Sequence, residues 1–70
     1  MKKHSVKIAG HSTSISMEDE FWDALKSLAE TQNRSLTELI SEIDSTRGPR
    51  NLSSALRVYV LKNLQQAAAN

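Results

Sequence analysis

Apolar residues recur at every second position early in the chain, and at every third or fourth from Glu18 onward. In residues 5–17, SVKIAGHSTSISM, Val6 and Ile8 alternate with Ser5 and Lys7, and Thr13, Ile15 and Met17 alternate with Ser12, Ser14 and Ser16. This is the period of a half-buried strand. The apolar parity switches from even to odd numbers between Ile8 and Thr13, and Gly10 lies inside the switch. A bulge, a kink or a tight turn at Gly10 accounts for it.

From Glu18 the period becomes helical. Glu18, Asp19 and Glu20 place acids where a helix dipole favours them, with Ser16 or Met17 at the cap. Phe21, Leu25, Leu28 and Ala29 form one apolar face, with Trp22 beside it, so a first helix is expected over 18–33. Ser35-Leu36-Thr37-Glu38 is a capping box. It opens a second helix over 35–46, with Leu36, Leu39, Ile40 and Ile43 on one face and Gly48-Pro49 as the stop. A third helix is expected over 51–66, capped by Asn51 or Ser53. Its apolar residues, including Leu56, Val58, Tyr59, Val60 and Leu61, cover most of its circumference, which calls for burial on nearly all sides. The chain reads as one domain, mainly α with a short N-terminal strand, preceded by a basic arm at 1–4.

Seventy residues, 39% of them apolar, bury only roughly 60% of their unfolded surface. Domains this small usually carry a staple. There is no Cys, and His4 and His11 alone are too few for a structural zinc site, so no metal and no cofactor is expected. Both histidines read as surface or turn residues. A partner chain is the staple left. A single strand, or one short hairpin, is also marginal alone and leaves amides unpaired. Pairing with the same strand of a second copy across a two-fold axis answers both needs. The expected dimer core is then Thr13, Ile15 and Met17, with Leu56, Tyr59 and Val60.

Charge adds direction. The net +1 conceals +3 over residues 1–17, −6 over 18–44 and +4 over 45–70. Lys2, Lys3 and Lys7 form a basic start that can attract a polyanion, and Arg47, Arg50 and Arg57 a later basic cluster. Phe21, Trp22 and Tyr59 sit on or beside apolar faces and read as core rather than as stacking platforms for bases. No apolar run approaches the ~20 residues that span a bilayer, and no secretory leader is visible, so a soluble cytoplasmic protein is expected. A catalytic constellation is also missing. There is no Cys nucleophile, and Gly10 and Gly48 are too few for a Gly-rich phosphate loop. An enzyme is not expected.

The order of strand, acidic-start helix, Asn33-Arg34-Ser35 turn and capped second helix resembles the ribbon-helix-helix DNA-binding proteins, the class of the MetJ and Arc repressors. SVKIAGHSTSISMEDEFW and NLSSALRVYVL further resemble a small bacterial subgroup of that family, over about residues 3–64. The resemblance implies a homodimer that places its ribbon in the major groove of double-stranded DNA and regulates transcription, most simply as a repressor. It matches Ser12, Ser14 and Ser16 to the base-reading positions. It matches Ser35, Leu36 and Thr37 to the phosphate clamp, a role for which exposed helix N-terminal amides are suited. The added third helix leaves Asn51, Ser53 and Ser54 as the other place for that clamp. The lysines at 2, 3 and 7 supply reach to phosphates. A second class of function is a protein-interaction module, an antitoxin or adaptor, with the acidic helices and Trp22 as its contact surface.

Overall fold

The structure, a computed structural model, describes residues 2–69. Two strands, β1 (Lys2–Ile8) and β2 (His11–Met17), precede three helices, α1 (Asp19–Thr31), α2 (Leu36–Thr46) and α3 (Leu52–Ala69). The strands form an antiparallel hairpin in which Val6 faces Thr13 and Ile8 faces His11. Of the alternatives at Gly10, the tight turn is the one present, and it gives β2 a partner strand, β1, in the same chain. Lys2, Lys3 and His4, expected as an arm, belong to β1, while Met1 lies outside the described residues.

The turn explains the parity switch. Ala9 and Gly10 both have positive φ, 52° and 82°. That backbone matches the right-handed twist of a two-residue hairpin. Two loop residues make paired positions sum to nineteen, so even numbers on β1 share a face with odd numbers on β2. His4, Val6 and Ile8 therefore lie on the face of Thr13, Ile15 and Met17, turned to the helices.

Local chemistry sets the helix ends. Glu18, not Ser16 or Met17, is the N-cap residue of α1, and its carboxylate accepts from Arg57 Nε at 3.0 Å instead of capping. The end of α1 is closed by Asn33 at φ 57°: Asn33 N–H donates to the Glu30 carbonyl and Arg34 N–H to that of Ala29, both at 3.0 Å. This pairing satisfies carbonyls that the helix leaves open. The capping box of α2 is present in both directions. Asn51, not Ser53, caps α3, with Oδ1 accepting from Ser54 N–H at 2.8 Å. α3 outruns its expected end because the alanines after Gln66 have high helix propensity.

α2 packs against β1 and α3 against β2, with α1 against both other helices. The core between them holds Ile8, Ile15, Met17, Leu25, Ala29, Leu39, Ile40, Ile43, Ala55, Leu56 and Val60. Ile15, Met17, Leu56 and Val60 were expected between two chains. They are already buried within one, at 1% exposure or less, in the core shared by the hairpin and the helices. Thr13 and Tyr59 are half-buried in the same chain. Leu61 and Leu64 remain open at 51% and 59% exposure.

Candidate nucleic-acid interface

The register that buries one face of the hairpin defines the other. Lys3 pairs with Ser16, Ser5 with Ser14 and Lys7 with Ser12, so these six side chains share the face turned away from the helices. Five are exposed and Ser16 is half-buried. The face carries two cations, four hydroxyls and no acid. Lys2 pairs with Met17 and belongs to the opposite face, though it is exposed at the strand end. Ser12, Ser14 and Ser16 were legible as outward positions. Ser5 was missed as their neighbour, although counting the register across a two-residue turn would have found it.

A second cluster lies at the hairpin tip. Lys7, Ile8 and Ala9 face Arg34, Thr37, Glu38 and Ser41 across an open groove of about 510 Å³. The groove brings Lys7 and Thr37 together, but its charge is mixed. Arg34 is paired with Glu42. Ser35 N–H donates to Glu38 Oε1 at 3.0 Å, and Glu38 N–H to Ser35 Oγ at 3.1 Å. The capping box thus uses the Ser35 amide and sets a carboxylate beside it. The hydrogen bond from the Ser35 amide, followed by that from its side chain, holds the Glu38 carboxyl below its ordinary pKa. The first turn of α3 differs. It contains no acid, and Arg47, ion-paired with Asp44, donates from Nη1 to the Arg50 carbonyl just ahead of it.

The aromatic residues all pack against the core. Trp22 is stacked face to face on His4, with ring centroids 3.8 Å apart and planes at 8°, which ties β1 to α1. Sequence reasoning left His4 on the surface. Its place on the even-numbered face is visible only once the turn length is known. Tyr59 accepts a 2.7 Å hydrogen bond at its hydroxyl from Gln32 Nε2. Arg57, read as part of the later basic cluster, ties α3 to the end of β2 and the start of α1: it donates to Glu18 and reaches the Ser16 carbonyl at 3.5 Å.

A two-stranded ribbon with a polar, cationic outer face on a helical support is one of the elements a major groove admits. The chain belongs to the ribbon-helix-helix domain family, whose model matches residues 1–64. No curated protein and no solved structure matches the chain. Domains of this family generally bind DNA as transcription regulators or antitoxins, and usually act as dimers. No helix among the described residues is long and apolar enough to cross a membrane.

Proposed function

We propose that this chain is a homodimeric regulator of transcription, a repressor, that binds double-stranded DNA by laying the outer face of its hairpin in the major groove. The observation that carries the reading is the composition of that face: Lys3 and Lys7 among Ser5, Ser12, Ser14 and Ser16, without an acid. The eight acids all lie within residues 18–44, outside both strands. The lysines supply affinity through counterion release. Serine hydroxyls both donate and accept, so their base contacts are permissive, and bridging water carries part of the specificity. Leu36 and Thr37 retain the phosphate-clamp role through their amides, with Ser35 acting as the cap that orients them.

The test is fluorescence anisotropy of the purified protein with a duplex from its own upstream region, beside a scrambled duplex, over a range of salt. Tighter binding to the native duplex, falling steeply with salt, is the expected result. Equal affinity for both duplexes removes the sequence-specific role. No binding to either at low salt overturns the reading. A partner then retained from lysate after nuclease treatment would identify an interaction module instead.

A further inference from the structure

The third helix sends one charged side chain to the hairpin. Arg57 leaves α3 on a turn held in the core by Leu56 and Val60, so its backbone is fixed. Its Nε donates to Glu18 Oε1 at 3.0 Å, and a terminal guanidinium nitrogen reaches the Ser16 carbonyl at 3.5 Å. Met17, between these two partners, is fully buried. The guanidinium therefore spans the junction at which the hairpin ends and α1 begins, with one partner on either side of an anchored residue. Among the described residues, no other strand residue hydrogen-bonds to a helix side chain.

Stability does not account for this link. The Arg57 side chain is 31% exposed and that of Glu18 46%, and a pair so open to water contributes little to folding. Its placement says more. Ser16 is one of the four serines of the outer face. A serine hydroxyl has almost no reach of its own, so it goes where the backbone puts it. Ile15 and Met17 hold this end of β2 down on the core. The Ser16 carbonyl belongs to the peptide that joins Ser16 to Met17, and holding its oxygen limits rotation of that peptide about the strand axis. Glu18 stands at the N-cap of α1 yet makes no side-chain cap, because its carboxylate is turned to Arg57.

We propose that Arg57 is a positioning residue for the outer face: by bridging Glu18 and the Ser16 carbonyl it sets the direction of the Ser16 end of the hairpin, and so makes the third helix part of the reading surface. Its consequence for DNA rests on the function proposed above. A brace of this kind raises affinity by preorganisation, since the strand is not left to find its direction on the duplex. Lysine is a poor substitute. An ammonium is a point charge, whereas a guanidinium presents donors in a fixed fork that serves two acceptors at once. For Glu18, simple electrostatics makes the opposite forecast: an acid removed from beside a polyanion site should strengthen binding. The brace requires that its removal weaken it.

The test uses Arg57→Gln, Arg57→Lys and Glu18→Gln in the full chain. Backbone amide NMR relaxation reads the brace without DNA. R57Q and E18Q should both loosen residues 16–18 and leave residues 11–13 as they are. No change at 16–18 overturns the proposal. Anisotropy then reads binding to the native duplex. R57Q and E18Q should each weaken it roughly tenfold, about the effect of one mismatched base pair, and R57K should recover little. The salt slope should keep its native value, since a braced Arg57 touches no phosphate. A slope lowered by about one per copy would make Arg57 a phosphate contact. Full recovery in R57K would reduce its role to charge, and tighter binding by E18Q would make Glu18 merely repulsive. Each of these three results overturns the proposal, as does an unchanged affinity. A double-mutant cycle locates the effect: R57Q should couple to Ser16→Ala and add independently to Ser12→Ala. Coupling to Ser12 as strong as to Ser16 overturns the local role. If the native chain binds no duplex, the proposed function falls, and the relaxation result alone decides whether Arg57 positions the strand.

Discussion

The inner and outer faces of the hairpin are made from alternate residues of the same two strands, yet they answer to different physics. The inner face holds Ile8, Ile15 and Met17 in the core, with Val6 and His4 packed at its margin. Burial of this kind scales with apolar area and tolerates little loss of volume. The outer face contributes no residue to that core cluster, and its lysines and serines suit a polyanion. One strand pair therefore separates stability from binding, position by position.

The largest break in that comparison is expected at Ile15. Ile15→Ala should cost about 2–5 kcal/mol, the usual range for a fully buried aliphatic side chain, and leave so small a domain close to unfolding. Ser14→Ala, one residue away, should change stability by no more than about 0.5 kcal/mol. Urea titration followed by Trp22 fluorescence measures both. Similar losses at the two positions would contradict the assignment of faces.

A smaller effect is expected where α2 begins beneath β1. Ser35→Ala removes the cap that accepts from Glu38 N–H and should cost about 1 kcal/mol in the same titration. It should also weaken DNA binding if the α2 amides hold a phosphate, whereas a purely structural cap would leave the affinity of the folded protein unchanged.

The turn offers a way to strengthen the division between faces. Ala9 adopts φ 52°, a region that disfavours a Cβ-bearing residue but is tolerated by Asn. Ala9→Asn makes an Asn-Gly turn and should stabilise the protein by about 0.5 kcal/mol, seen as a higher urea midpoint. Destabilisation would indicate that a different turn joins the strands.

The smallest effect is in pH. Hydrogen bonds lower the folded-state pKa of both Glu18 and Glu38. The Glu18 amide contributes most to the first, with Arg57 next, and Ser35 to the second. A lowered carboxyl stabilises the fold above its unfolded pKa, and that contribution is lost as pH falls through the folded value. The urea midpoint should therefore decline below the ordinary glutamate range, and decline less in Glu38→Gln. Both groups are exposed, so the change should be small. A midpoint that rises on acidification would contradict these partners.

Element types were readable because each has its own period and its own punctuation. The capping box at Ser35, the stop at Gly48-Pro49 and the two apolar periods all depend on neighbours within a few residues. The candidate site was readable in part for the same reason: alternation alone turned Ser12, Ser14 and Ser16 outward. The pairing of β2 was not readable, since a bulge, a kink and a tight turn at Gly10 all fit the parity switch between Ile8 and Thr13. Ile15, Met17, Leu56 and Val60 belong to one core within the single chain. The roles of Arg57 and His4 were hidden for a related reason. Their partners, Ser16 and Glu18 for one and Trp22 for the other, lie 18 to 41 residues away.

By itself, then, the amino-acid order determined the ribbon and three helices, the segregation of charge and the outward serines, because these follow from local periodicity and capping. Only the tertiary structure decided that Lys3 and Lys7 join those serines on one face and that Ser35 spends its amide on Glu38. A register is a relation between distant residues, and it takes its value from the turn that joins them.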